Sequence, residues 1–459
     1  MRELSIMAAA HEAPARDCLV AEGRVWSYAE VAARVASAIE ELLARGLRSG
    51  DRVALTPRAD VDSALWLYAL FELGCPAVLV HPRLTENERT VLLREASPVE
   101  LITKEAPEGQ SGEPAIDPIP DDRTLAIVYT SGSRGTPRGA CLSRRAFVAS
   151  EAAHAANLGW LPEDRWLLAM PPAHVGGLSI LTRCLIARSC VVLDPGSFDP
   201  AQTARTIERE AVTLLSVVPT MLHRLLSSDR PPWRPSPALR AVLVGGASLP
   251  PALQKRAVSE GIPVLSTYGC TEACSQITTQ TLAQVGLPGS GAPLRGVEVR
   301  IEAGEIQVRG QTVMQGYLGS LPADEPWTED AWLRTGDFGG FAPDGQLVVR
   351  GRLDDIIVTG GENVAPQEVE EWLQSVPGVA AACVFGIDDE EWGERVVAAI
   401  VIEAREYDPN TLRVRMNEEL AAHKRPKDLA VLDAFPLNPS GKVDRAKLRA
   451  LAEAALRPI

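Results

Sequence analysis

No apolar run in the chain approaches the roughly 18 residues that a membrane-spanning helix needs. Residues 1–10 carry one arginine and no sustained apolar stretch, unlike a secretory leader. Positive charge is scarce: 46 Lys and Arg against 60 Asp and Glu leave a formal net charge of −14 at pH 7. That sign disfavours nucleic acid and anionic membranes, and any polyphosphate ligand must be held by local donors against the global field. The cysteines, Cys18, Cys75, Cys141, Cys184, Cys190, Cys270, Cys274 and Cys383, include no Cys-x2-Cys pair. Cys270-x3-Cys274 has no His or Cys cluster beside it, which disfavours zinc. All eight are expected to be small buried hydrophobes in a reducing cytosol. Internal repeats and low-complexity tracts are also missing. What remains reads as a globular chain of 459 residues, expected to be cytoplasmic, 46% hydrophobic and 23% charged as in ordinary globular enzymes, and long enough for two or three domains.

Ser27-Tyr-Ala-Glu30 has capping-box spacing and opens an amphipathic run to Leu43. Short apolar strands at 52–55 and 76–80 flank a helical stretch over 61–73. This is the β-α-β pattern of a parallel sheet with helices on its faces. It returns with strands at 191–193, 214–218, 241–244 and 264–265. From 297 to 349 short alternating strands with Gly turns predict a small β-rich subdomain. After Gly351 a new α+β unit begins, with helices over 367–374 and 410–420 and strands over 382–385 and 396–402. The expected fold is α/β, with a large N-terminal domain over 1–351 built of α/β sheet subdomains plus the β-rich one. A smaller α+β domain follows over 352–459. Arg230-Pro-Pro-Trp-Arg-Pro-Ser-Pro237 is expected to form a rigid surface loop.

The densest chemistry lies in Val128-Tyr-Thr-Ser-Gly-Ser-Arg-Gly-Thr-Pro-Arg-Gly139, directly after an apolar run. Glycines let the backbone approach an anion, successive N–H groups converge on it and hydroxyls add donors, so such a loop makes a phosphate cradle. Its spacing is not the Gly-x4-Gly-Lys-Ser/Thr of a P-loop NTPase. Alone, it is equally a surface turn. Other segments share its logic. Leu243-Val-Gly-Gly-Ala247 ends a strand in glycines, where a planar ligand has room against bare backbone. Thr267-Tyr-Gly-Cys-Thr-Glu272 offers an aromatic face, a hydroxyl and a carboxylate, suited to a base, a phosphate and Mg²⁺. Arg334-Thr-Gly-Asp337 supplies a carboxylate that can accept from two ribose hydroxyls, and Gly351-Arg-Leu-Asp-Asp355 and Ser440-Gly-Lys442 supply cations. Each alone is also what an ordinary turn provides; their order is hard to obtain by chance.

With Gly360-Gly-Glu-Asn363 and Pro439-Ser-Gly-Lys-Val-Asp-Arg445 added, the chain resembles the adenylate-forming superfamily over almost its full length. That superfamily includes acyl- and aryl-CoA synthetases, firefly luciferase and nonribosomal peptide adenylation domains. The resemblance implies that a carboxylate attacks the α-phosphate of MgATP and that a thiol then displaces AMP. It also implies roles for residues of this chain. Thr130, Ser131, Gly132, Ser133, Gly135 and Thr136 would cradle the β- and γ-phosphates. Gly245, Gly246, Ala247 and Tyr268 would border adenine, Thr271 would contact the α-phosphate, Glu272 would hold Mg²⁺, and Asp337 and Arg352 would bind ribose. Lys442 would bridge the substrate carboxylate and the α-phosphate. Asp354 would be the hinge of a mobile C-terminal domain, whose rotation would withdraw Lys442 and bring the Gly360-Gly361 loop to the acyl site. Arg134 replaces the usual Thr and Arg138 the usual Lys, and a guanidinium is wider and forked.

The acid should be read from Met170-Pro-Pro-Ala-His174-Val-Gly-Gly-Leu-Ser-Ile-Leu-Thr-Arg183. His174 precedes a helix beginning near Gly176, where a histidine is often a packing or capping residue. Arg183 lies on an otherwise apolar helix and costs free energy there unless an anion neutralises it. That anion is either a structural Asp or Glu, or a ligand. The segment is similar to the o-succinylbenzoate–CoA ligases of menaquinone biosynthesis, as is Thr267-Tyr-Gly-Cys-Thr-Glu-Ala-Cys-Ser-Gln-Ile-Thr278. An aromatic diacid demands a second cation, with Arg183 the first candidate and His174, Gly269, Ser275, Gln276 and Thr278 beside it. The basic run His423-Lys-Arg-Pro-Lys427 is either a contact for CoA phosphates or a solvated linker. Other expectations stay open: another aryl- or acyl-CoA synthetase, an adenylation enzyme loading a carrier protein in trans, a nucleotide-binding regulator, and a homo-oligomer.

Overall fold

The computed structural model describes residues 2–109, 111–130, 137–194, 196–227, 233–320, 326–402, 407–438 and 443–459. Among them, four sheets organise the chain. A five-stranded sheet has the order Glu100–Ile102, Val53–Leu55, Ala77–Leu79, Thr124–Thr130, Arg138–Ser143. Its first four strands are parallel, and the fifth returns antiparallel as the far arm of the phosphate-loop hairpin. A nine-stranded sheet has the order Ala292–Pro293, Thr278–Thr279, Val264–Tyr268, Ala241–Val244, Leu214–Val217, Arg165–Leu168, Cys190–Leu193, Asp17–Ala21, Arg24–Ser27.

Side-chain period explains the apolar texture of these strands. In the nine-stranded sheet, Leu214, Leu243 and Leu265 pack into one core cluster, and Leu215, Val242, Val244 and Val264 into another on the opposite face. Both faces are covered, so the strands read as continuous apolar runs rather than alternations. The first cluster also takes side chains from the five-stranded sheet and from the helices Tyr28–Ala44, Val61–Leu73 and Val175–Ala187. Ser27 and Glu30 make both bonds of the capping box that starts the first of these helices. Asp60 caps Val61–Leu73, which is buried nearly all round and ends at Gly74 with φ +70°.

The β-rich segment is a four-stranded antiparallel sheet, Val297–Glu302, Glu305–Gly310, Leu333–Phe341 and Leu347–Arg352 in that order. Beyond it, a six-stranded sheet begins at Ile357–Thr359 and packs Val369, Leu373, Leu412 and Met416 into a core cluster of its own. Two expectations are corrected. Trp233 is 7% exposed and packs into the second cluster, so the Pro-rich segment is anchored by an indole rather than lying wholly on the surface; 230–232 fall outside the described residues. Cys141 and Cys270 are half-buried, whereas the other six cysteines are buried. Among the described residues no helix is long and apolar enough to cross a membrane.

Candidate active site

In parallel sheets ligands gather beyond the carboxyl ends of the strands. Thr130, the Gly245-Gly246-Ala247 turn and Tyr268 all stand at such ends, the last two on neighbouring strands. Ser131, Gly132, Ser133, Arg134, Gly135, Thr136 and Lys442 lie outside the described residues.

After Tyr268 the chain doubles back tightly. A Cβ at Gly269 would stand 1.6 Å from the carbonyl oxygen of Ser275, so only glycine passes here. Ser275 N–H reaches Cys270 O at 3.1 Å and Ile277 N–H reaches Tyr268 O at 2.8 Å. Cys274 and Ser275 take φ +54° and +90° to complete the loop, a strained backbone that sits beside the 3₁₀ turn Thr271–Ala273 carrying Thr271 and Glu272. At Gly245 the space of the missing Cβ is filled by Thr267 of the next strand, 2.7 Å away, so the glycine lets the two strands pack closely.

Tyr268, Asp337 and Arg352 meet although 84 positions separate the first from the last. Tyr268 Oη donates to Asp337 Oδ2 at 2.6 Å, and Arg352 Nη1 donates to Asp337 Oδ1 at 3.0 Å and to Thr335 O at 3.1 Å. Gly336 (φ +68°) leaves room for that guanidinium, since a Cβ would lie 2.9 Å from Arg352 Nη2. Burial raises the Asp337 pKa against the pull of Arg352, and burial also raises that of Tyr268. The carboxylate is thus fixed in place by neighbours from two sheets.

Glu272 is held from the other side. Its Oε1 accepts from Tyr317 Oη at 2.7 Å and its main-chain oxygen accepts from Met314 N–H at 2.7 Å. One engaged oxygen leaves a second hard oxygen for a cation. Among the described residues no group of three or more His, Cys, Asp and Glu forms a cage. A single carboxylate that shares its ion with substrate phosphates is how Mg²⁺ is commonly held, so the residues fit that ion.

The segment read for the acid contains the feature that sequence left open. Arg183 is 3% exposed, and its Nη2 donates to Ser150 Oγ at 2.8 Å, from the helix Arg144–Leu158. Among the described residues it has no ion pair. Glu151 acts on it only through space, having accepted Trp160 Nε1–H at 3.0 Å. Burial pulls the Arg183 pKa down to about 10. Around it, Arg183 Nε, His154 Nε2 and Gln276 Oε1 are among the buried polar atoms with no hydrogen-bond partner within the described residues. Burial, then Arg183 and Arg240, push the His154 pKa well below the usual range, while Gln276 pulls the other way. His154 is wedged against Trp160 and Trp166, with ring centroids 5.3 and 4.8 Å away. Gln276 Nε2 reaches Thr279 Oγ1 at 3.1 Å, and Thr278, read as a pocket hydroxyl, instead donates to Ser290 O at 2.7 Å.

His174 occupies the N-cap of Val175–Ala187 without a side-chain capping bond, and its ring stacks on His81 at 4.7 Å. His81 Nδ1 accepts Arg83 N–H at 3.1 Å, which assigns the neutral ring's proton to Nε2. Burial and Arg83 hold the His81 pKa down at about 4.

In the C-terminal unit, Asp354 is exposed in the turn Leu353–Asp355 that joins the two sheets. Gly360 and Gly361, at φ +59° and +84°, form the turn between Ile357–Thr359 and Glu362–Val364, with the Trp392 ring 3.0 Å from a Cβ at Gly360. Arg445 anchors the segment after Lys442: its Nη2 donates to Glu370 Oε1 at 2.7 Å and its Nη1 to Val384 O at 3.2 Å. Of the basic run, Lys424 binds Glu368 at 2.5 Å and Arg425 binds Leu420 O at 2.8 Å, so two of its cations brace the unit itself.

Sequence reasoning missed His81, His154 and Tyr317. Only His81 gave a positional signal: it follows a parallel strand at its carboxyl end. The other two lie within a helix and a loop and become site residues only through packing.

Known proteins resemble this chain in sequence and in fold. Residues 6–118 and 103–318 match the AMP-binding enzyme family, and 368–442 match the AMP-binding enzyme C-terminal domain. The chain is 36% identical over 439 residues to a 2-succinylbenzoate–CoA ligase of Bacillus licheniformis, covering 88% of this chain and 90% of that protein. It aligns with o-succinylbenzoate CoA synthetase (MenE) of Bacillus subtilis in complex with the acyl-adenylate intermediate OSB-AMP at a TM-score of 0.89, with 33% identity and 98% of each chain covered. The same enzyme in complex with ATP and magnesium ion aligns at 0.88, with 32% identity over 98% of this chain and 99% of that one.

Proposed function

The chain belongs to the AMP-binding enzyme family, and we propose that within it the protein is a 2-succinylbenzoate–CoA ligase. It activates o-succinylbenzoate with ATP as an acyl-adenylate, releasing pyrophosphate, and then passes the acyl group to the thiol of CoA, releasing AMP. The observation that carries the choice of acid is Arg183, a buried cation without an ion pair among the described residues. The substrate's non-reacting carboxylate supplies the missing anion, and Gln276, Ser275, Gly269 and His174 shape the wall around the acyl chain.

The chemistry explains why the protein needs no nucleophile of its own. A free carboxylate repels a thiolate and has no good leaving group; as a mixed anhydride with AMP it has lost its charge and can expel a phosphate. The residues therefore position groups and neutralise charge at phosphorus. The loop from Thr130 to Thr136 takes the β- and γ-phosphates, and Gly246, Ala247 and Tyr268 border the adenine, with Gly245 keeping the neighbouring strand close. Asp337, with Arg352 beside it, accepts from the ribose diol. Thr271 contacts the α-phosphate, and Glu272 turns its second oxygen to Mg²⁺, which when bound neutralises phosphate oxygens as charge develops. Lys442 bridges the attacking carboxylate and the α-phosphate. The C-terminal domain, 352–459, then turns about Asp354, and the Gly360-Gly361 loop replaces Lys442 at the acyl carbonyl for thiol attack. The separate core cluster beyond Ile357 supports a unit able to move as a body. The reaction belongs in the cytoplasm, where ATP and CoA are both supplied.

Pyrophosphate release with MgATP and CoA, compared across o-succinylbenzoate, benzoate, hexanoate and dodecanoate, tests this reading. A strong preference for o-succinylbenzoate is expected. Preference for any of the monocarboxylates sinks the assignment of the acid.

A further inference from the structure

Arg138 stands where the resemblance expects a lysine, at the end of the strand that closes the phosphate loop. Its guanidinium carbon lies 3.6 Å over the centre of the Tyr317 ring, and its Nη2 donates to Ser320 Oγ at 3.0 Å. The same Tyr317 donates its hydroxyl to Glu272 Oε1 at 2.7 Å. We propose that Arg138 and Tyr317 are positioning residues acting in series, the guanidinium fixing the phenol and the phenol fixing the Glu272 carboxylate for its metal ion. This rests on the reading of Glu272 as the metal carboxylate.

The backbone reinforces the chain of contacts. Gln315 N–H reaches Cys141 O at 2.9 Å, Cys141 N–H reaches Gly316 O at 3.0 Å and Leu318 N–H reaches Gly139 O at 2.7 Å. The segment carrying Tyr317 is thereby laced as an extra strand onto Arg138–Ser143, and Met314 N–H ties its start to the main chain of Glu272. Arginine suits the place better than lysine. A planar guanidinium stacks on a ring face and still presents an edge donor to Ser320, whereas an ammonium is a compact point charge. A cation over the ring also draws electron density from the phenol and makes its O–H a stronger donor to the carboxylate. The arrangement joins the strand bordering the phosphate loop to the residue that holds the phosphates' counter-ion, so the two halves of the MgATP site keep one register.

The test is Mn²⁺ binding to the intact enzyme with a non-hydrolysable ATP analogue, read from the electron paramagnetic resonance of free Mn²⁺. Metal-free affinity for the analogue is measured alongside. Tyr317→Phe keeps the ring and removes only the hydroxyl; Arg138→Lys keeps the charge and removes the stacked fork. Each is expected to weaken Mn²⁺ binding about tenfold, the scale of a partly desolvated cation–π or charge-assisted contact. Metal-free analogue binding should stay unchanged, and the double variant should be no weaker than the weaker single one. Unchanged Mn²⁺ affinity in Tyr317→Phe overturns the proposal. So does loss of metal-free analogue binding in Arg138→Lys, which would make Arg138 a direct phosphate ligand, and so do additive losses in the double variant. Glu272→Gln separates the two levels. If it too leaves Mn²⁺ binding intact, the reading of Glu272 has failed; if it weakens binding while the other two variants leave it unchanged, the series has failed.

Discussion

Replacing Arg183 by leucine distinguishes a guanidinium that waits for a ligand from one that supports the fold. The side chain is 3% exposed, and burial holds its pKa down at about 10, below the ordinary arginine range. That displacement corresponds to roughly 3 kcal/mol of lost preference for the charged form. The bond to Ser150 Oγ offsets part of it, and among the described residues no carboxylate pairs with the charge. Leucine removes the charge together with its desolvation cost. Ser150 keeps a partner, because its hydroxyl also donates to Cys274 O at 3.1 Å. The variant should therefore melt at the same temperature or higher, as buried charges replaced by apolar groups often do. The substrate loses a buried charge-assisted contact worth about 2–4 kcal/mol, so kcat/KM for o-succinylbenzoate should fall about 30- to 1,000-fold. The control is 4-oxo-4-phenylbutanoate, which keeps the reacting carboxylate and lacks the aromatic one; its kcat/KM should change little. Initial rates of pyrophosphate release give both numbers and a thermal melt gives the third. Equal loss for the two acids, or a clear drop in Tm, would refute the reasoning and make Arg183 a structural ion.

Two more outcomes are expected. Lys442→Ala should cripple adenylation while leaving thioester formation from supplied acyl-adenylate largely intact, because only the first step places that charge at the α-phosphate; single-turnover rates of the two half-reactions decide it, and equal loss in both removes the role. Stability should decline on acidification below about pH 6.5, since the unfolded chain takes up protons there that the folded one refuses: His81 titrates only near pH 4 and the His154 pKa is held well below its usual range. Each histidine contributes a slope of up to about 1.4 kcal/mol per pH unit in that window. Urea midpoints between pH 7 and 5 should flatten in His81→Asn, and an unchanged slope in that variant argues against the assignment.

Much of the architecture was legible because its signals are local. The capping box at Ser27 and Glu30 starts a helix whose first turn needs nothing beyond adjacent residues. The loops ending in Gly245, Gly269 and Gly336 were visible as glycines, but what each glycine admits was not. At Gly245 it is Thr267, at Gly269 the Ser275 carbonyl and at Gly336 the Arg352 guanidinium, three neighbours set by strand packing. Likewise the Pro-rich 230–237 segment reads as surface until Trp233 finds a core that sequence could not foresee.

The sequence by itself determined the class of chemistry, since a phosphate-type loop, Thr271-Glu272, Asp337, Arg352 and Lys442 occur in an order that is rarely accidental. Only the tertiary structure decided which partners those groups have. Arg183 pairs with Ser150 and not with Glu151, Asp337 is clamped by Tyr268 and Arg352, and Glu272 is tied through Tyr317 to Arg138. The physical reason is range. Turns and caps are settled by neighbours within a few residues, whereas the energy of a buried charge depends on what lies within a few ångströms, and those neighbours come from strands and helices scores of residues away.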